Sequence, residues 1–208
     1  MTTLIKKAMF SAVAMLLAGA AAADIGSTSV NDVHLAGNPA DAFAYQAGWN
    51  PHSGPVGDTS GFGTTFDAFG AGAWSLLGKH DSSSSSLTTG DLTFTFTETT
   101  GTSGLWTVTN TSASSAITLD LVFAIHAGSQ GVGWLFDNEL ILPGQTLNGD
   151  WMIMWTVGNN GAHPDFSNLT LFGRDMMTTQ VPEPETYGML LAGLTALGAL
   201  ALRRKGSQ

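Results

Sequence analysis

Few side chains in this sequence stand at spacings that could do chemistry. His126 and Asp120 fall on one face of an extended run, but six residues at about 3.3 Å each put them roughly 20 Å apart, too far for an acid–base dyad. His34, His52, His80 and His163 fall in expected loops without the H-x-H or H-E-x-x-H spacing that brings two imidazoles to one metal. Asp137, Asn138, Glu139 and Asp150 offer hard oxygens suited to calcium. Their spacing matches no EF-hand loop, and turn or strand-edge roles account for them. There is no G-x-S-x-G, and the absence of cysteine excludes a thiol nucleophile and a thiolate metal site. The sequence therefore assigns no catalytic residue, no metal and no cofactor, and the protein is expected not to be an enzyme.

Six tryptophans are many for 208 residues. An indole face can stack on a sugar ring while acids and amides bond its hydroxyls. Trp151 and Trp155 alternate with Ile153 and read as core. Trp49, in Gly48-Trp49-Asn50-Pro51, and Trp106, beside Leu105, are the candidates for glycan contact.

The strongest pattern lies at the C-terminus. Pro182-Glu183-Pro184 precedes sixteen uncharged residues, Tyr187 to Leu202, which are closed by Arg203-Arg204-Lys205. Two prolines deny a helix an earlier start and hold the chain extended, the form a protease reads. Sixteen helical residues cover roughly 24 Å, enough to cross a bilayer when the flanking bases snorkel. The basic cluster stops transfer. At the other end, Lys6 and Lys7 precede an apolar run from Ala8 to Leu17, and Ala21 and Ala23 form the small-residue exit of a secretory signal peptide cut before about Asp24. Both basic ends fall on the cytoplasmic side by the positive-inside rule, so everything between them lies outside.

The elements between these ends are strands. Leu92, Phe94 and Phe96 alternate with threonines, and Ile117 to Ile125 carries one wholly apolar face. Trp151 to Val157 alternates likewise. Asp137-Asn138, Pro143-Gly144 and Asn148-Gly149 read as turns, the last as a tight hairpin. About eight short strands predict an all-β fold, an antiparallel, jelly-roll-like β-sandwich, flanked by an N-terminal signal peptide and a C-terminal single transmembrane helix. The expected organisation is a signal peptide over 1–23, an exported domain over 24–175, a linker over 176–181 and a sorting segment over 182–208, with its membrane helix at about 187–202. Residues 31–72 lack periodicity and are expected to wrap the sandwich. From Asp24 to Val181 there are two strong bases against fourteen acids, a formal net charge of −12. Such a surface repels nucleic acid and anionic lipid.

In its order of parts, the C-terminal pattern resembles the PEP-CTERM sorting signal of Gram-negative bacteria. The resemblance rests on Val181-Pro182-Glu183-Pro184, the apolar run and the basic end, and covers about the last 25 residues. It implies exosortase as processing partner, acting on Pro182, Glu183 and Pro184 as substrate, with Arg203, Arg204 and Lys205 as the stop-transfer end. Signal peptidase and the general secretion machinery act first. The expected route is export, transient inner-membrane anchoring, then the cell surface or extracellular matrix. The resemblance also implies an association with exopolysaccharide and biofilm, in a structural or adhesive role. A lectin-like carbohydrate-binding module and a secreted hydrolase are the alternatives. An LPxTG-type sortase motif is absent, and a permanent single-pass anchor is the competing reading of the C-terminal run.

Overall fold

The structure is a computed structural model and describes residues 28–81, 86–157, 161–181, 189 and 191–195 of the 208. The chain order is β1 (Val33–Leu35), β2 (Asn38–Pro39), β3 (Ala42–Ala47), β4 (Ser75–Asp81), β5 (Ser86–Thr89), β6 (Leu92–Thr100), β7 (Ser103–Asn110), β8 (Ser115–Ala127), β9 (Gln130–Ile141), β10 (Thr146–Met152) and β11 (Asn168–Gln180). One sheet runs β2-β1-β10-β7-β6-β5 and the other β3-β9-β8-β11-β4, with every pairing antiparallel. The expected two-sheet β fold is thus present. The β7–β10 pair brackets the β8–β9 hairpin across the two sheets, a Greek-key relation. An eight-stranded jelly roll is not reproduced, because β6 folds back as a hairpin on β7 and the short β2 and β5 extend the edges.

Alternation explains the main core. Phe94 and Phe96 from β6, Trp106 from β7 and Trp151 from β10 meet Phe123 from β8 and Trp134 from β9 in one buried cluster between the sheets. A second cluster lies on the other face of the five-stranded sheet. There Trp49, Phe62 and Phe66 cover Val122 and Ala124 of β8 and Phe172 of β11. Phe62 is its hub, with ring centroids 5.2–5.7 Å from Trp49, Phe66, Trp74 and Phe172. Of the stretch 31–72 expected to wrap the sandwich, residues 48–72 do cover one sheet face and supply it with a core of its own, whereas residues 33–47 supply β1, β2 and β3 of the sheets themselves. This covering makes β8 buried on both sides along most of its length, which is why its sequence is an almost unbroken apolar run.

Four expected features are corrected. Asn148-Gly149 is no hairpin turn but the middle of β10, opposite Thr107 and Trp106 of β7. A Cβ on Gly149 would stand 2.3 Å from Trp106 Nε1 and from the His34 carbonyl oxygen, so the glycine makes room for an indole rather than for a turn. Asp137-Asn138 sits within β9 as a bulge, where the register with β8 shifts between Leu119 and Leu121 and Asn138 adopts φ 56°. The true β8–β9 turn is Gly128-Ser129, with φ 59° and 62°, positive at both central residues as the twist of a tight hairpin demands. Third, residues 176–180, expected within a linker, are the last part of β11 and pair with β8 as far as Gln180 opposite Ser115. The expected strand 151–157 is shifted: β10 ends at Met152, and Val157 makes only an isolated bridge to Ala162.

Candidate functional site

The two strong bases of the sandwich are both spent on holding the covering segment. Arg174, on β11, is buried with Asp120 of β8, its Nε donating to Oδ2 at 2.8 Å. Its two terminal nitrogens donate to the carbonyls of Gly70 at 2.6 Å and Phe66 at 3.0 Å, and its guanidinium lies 4.3 Å from the centre of the Trp74 ring. Asp120 Oδ1 accepts the Asn138 N–H at 3.0 Å, so the same carboxylate pins the β9 bulge. A planar five-donor fork suits this job. Lys79 on β4 acts in parallel, its Nζ donating to the carbonyls of His52, at 2.5 Å, and Gly54. Neither base was singled out as functional by sequence pattern. The available signal was their scarcity, two against fourteen acids.

Asp120 is therefore engaged by Arg174 and Asn138 rather than by His126. His34, expected in a loop, lies on β1 and its Nδ1 is 2.9 Å from Asp150 of β10. His163 Nδ1 lies 2.9 Å from the Trp155 carbonyl. His52, His80 and His126 each have a buried Nδ1 without a partner. Desolvation holds all three below the ordinary imidazole range, with the Lys79 charge adding to the effect at His52. Of the acids considered for calcium, Asp137 stays near Asp41 and Asp120 while Asp150 goes to His34. Burial, and then the charges of Asp120 and Asp41, raise the Asp137 carboxyl above its ordinary value. No group of three or more His, Asp or Glu able to hold a metal occurs among the described residues.

The glycan-contact expectation for Trp49 and Trp106 needs correction. Both rings are at most 2% exposed. Trp49 lies against Gly61 and Gly131, its Nε1 donating to the Asp58 carbonyl at 3.0 Å. Trp106 packs on Phe123 at 4.7 Å, its Nε1 donating to the His34 carbonyl at 3.1 Å. Each indole satisfies its donor internally, and neither offers a face to a sugar.

The outer face of the six-stranded sheet carries hydroxyls instead. Thr88, Thr93, Thr109 and Thr146 stand opposite one another across β5, β6, β7 and β10. Thr88–Thr93 and Thr109–Thr146 are hydrogen-bonded at 3.1 and 2.8 Å. In the adjacent row Thr95 and Thr107 are 2.6 Å apart. Strand spacing sets neighbours within a row about 4.8 Å apart, and two residues of rise set successive rows about 6.6 Å apart.

The C-terminal end of β11 gives the functional segment its place. Gln180 is the last ladder residue, its Nε2 donating to Ser115 Oγ at 3.0 Å, and the Val181 N–H bonds the Ser114 carbonyl at 2.7 Å. The prolines follow at once. Residues 180–205 match the family model of the PEP-CTERM protein-sorting motif. The PEP-CTERM motif marks an exported protein processed by an exosortase, and it begins on the final residue of the sandwich. No curated protein and no solved structure matches the chain. Pro182, Glu183, Pro184, Arg203, Arg204 and Lys205 lie outside the described residues, as do the expected signal peptide over 1–23 and its expected cleavage residues Ala21 and Ala23. Residues 189 and 191–195 of the expected span are helical, and no helix among the described residues is long and apolar enough to cross a membrane.

Proposed function

We propose that the protein is a non-enzymatic component of the cell envelope or extracellular matrix. It is exported by signal peptide, held transiently in the inner membrane by residues 187–202, and released or transferred by exosortase at Pro182-Glu183-Pro184. The observation that carries this reading is the PEP-CTERM motif over residues 180–205, joined directly to a folded sandwich. The hydroxyl rows on the six-stranded sheet favour a structural or adhesive role in an exopolysaccharide matrix, because hydroxyls can exchange hydrogen bonds with those of a sugar polymer. A lectin-like site with stacked indoles has less support, since Trp49 and Trp106 are interior.

The test is the intact mass of the protein from membrane and extracellular fractions of its host. The wild type is expected to begin near Asp24 and end near Pro182–Glu185, and any added mass at the C-terminus names the acceptor. A chain with Pro182→Ala and Pro184→Ala is expected to stay in the membrane at full precursor length. Normal release of that variant would remove the motif from the mechanism, and a wild type that keeps Arg203-Arg204-Lys205 would make the segment a permanent anchor.

A further inference from the structure

The end of the sandwich from which the sorting segment leaves is unusually apolar outside. Leu140, Leu142, Met176, Met177 and Val181 are each between 40% and 61% exposed. The register gathers all but Met176, which lies in the β11 bulge, at one place. Met177 of β11 faces Thr118 of β8, and Thr118 faces Leu140 of β9, which puts the two long side chains in one row, roughly 10 Å apart at the usual strand spacing. Leu142 follows the end of β9, and Val181 is fixed beside Ser114. Scattered single apolar residues are ordinary on a protein surface, whereas a contiguous group marks a contact. The other exposed large apolar residues of the sandwich form no group of this size: Leu105 and Met152 are a diagonal pair on β7 and β10 of the six-stranded sheet, and Val56 lies alone in the covering segment.

The course of the chain says what this patch meets. Only residues 182–186 separate Val181 from the uncharged run that starts at Tyr187. Five residues and their flanking bonds, fully extended, span at most about 20 Å. With the apolar run in a bilayer, the patch cannot leave the neighbourhood of the lipid surface. Tethering at that range raises the effective concentration enough for a weak apolar contact to persist, and cutting the tether removes the advantage. The net charge of −12 opposes deep or permanent binding to anionic lipid. We propose that in the anchored precursor Leu140, Leu142, Met177 and Val181 rest in the headgroup–acyl boundary of the bilayer, and that this contact is given up on processing. The proposal rests on the reading above that residues 187–202 are held in the membrane.

The chain has no cysteine, so single-cysteine variants of the full precursor can each carry one environment-sensitive dye. The precursor is placed in phosphatidylcholine vesicles containing lipids with a quencher at shallow or deep chain positions, with labels at Met177→Cys, Leu140→Cys, Val56→Cys and Leu191→Cys. Shallow-lipid quenching at positions 140 and 177 is expected to be several-fold greater than at 56, with deep-lipid quenching at 191. If 191 is quenched while 140 and 177 behave like 56, the patch does not touch lipid and this proposal falls alone. If 191 is also unquenched, the anchoring reading falls and takes the proposal with it.

Discussion

Replacing Arg174 by Ala tests whether one buried ion pair holds three parts of the sandwich together. The side chain is 0% exposed and its partner Asp120 only 3%. Truncation strands a buried carboxylate that keeps only the Asn138 N–H, and it leaves the Phe66 and Gly70 carbonyls without their donors. Breaking a buried pair by removing one member costs about 3–5 kcal/mol, most of it the desolvation of the charge left behind. For a chain of this size each kcal/mol moves the melting temperature by about 2–4 °C, so the loss is roughly 6–20 °C. Differential scanning calorimetry reads the global effect. Limited proteolysis between Gly48 and Trp74 reads the local one, because Arg174 is what ties Phe66 and Gly70 to β11. The pairing logic has its own control. Replacing both partners, Asp120→Leu with Arg174→Met, removes the stranded charge and is expected to recover part of the loss, while the Asn138 N–H and the Phe66 and Gly70 carbonyls stay without these partners. Arg174→Lys retains charge but not the fork, and is expected to fall between wild type and alanine. An alanine variant within about 1 kcal/mol of wild type, with an unchanged cleavage pattern, would refute the reasoning.

Gly149→Ala is expected to destabilise the fold by about 1–3 kcal/mol, measured by urea unfolding, because a methyl there meets the Trp106 indole and the His34 carbonyl; an unchanged midpoint would show that β10 can shift aside. Acid is expected to weaken the sandwich through His52, His80 and His126. Their folded values lie below the ordinary 6.5, so the unfolded chain binds these protons first, and stability falls as pH drops from about 6.5 toward the lowered values. His80→Phe, which keeps a ring against Phe96 at the site of a 4.7 Å contact, is expected to reduce the fall in urea midpoint between about pH 7 and 5; an undiminished fall would exclude His80 as a source. At lower pH, Asp32 and Asp137 act in the opposite sense, because burial raises both above 3.8. The stability they withhold is regained as pH falls through their raised values.

The strands were legible because alternation is a local property. Leu92-Thr93-Phe94-Thr95-Phe96 carries its own inside and outside, and β6 follows it. The turns were less so. Asn and Gly tolerate positive φ wherever they stand, and a hairpin, a bulge and a close approach all use that tolerance. Asn138 serves the bulge, and Gly149 serves the indole of a strand more than 40 residues earlier. Only the partner's position separates these uses, and that position is a tertiary fact. Trp49 was misplaced for a similar reason. Its neighbours Gly48, Asn50 and Pro51 read as an exposed loop, yet the glycines that admit its ring are Gly61 and Gly131, both distant in sequence.

The sorting motif was readable for the opposite reason. Its parts are recognised by their order along the chain, so the information is linear and survives without a fold. What the fold adds is the junction. A reading of composition makes residues 176–181 a polar connector, yet β8 holds them in a ladder through Gln180. On β11 the pairing with β4 stops at Gly173, so residues 175–180 are held from one side only, beyond a bulge at Arg174–Met177. Arg174 stands at the boundary between the two-sided and one-sided parts of the strand. Its ion pair with Asp120 therefore separates the firmly held core from the stretch next to the motif. The residue that clamps the strand ahead of the motif is one that neither the strand pattern nor the motif picks out.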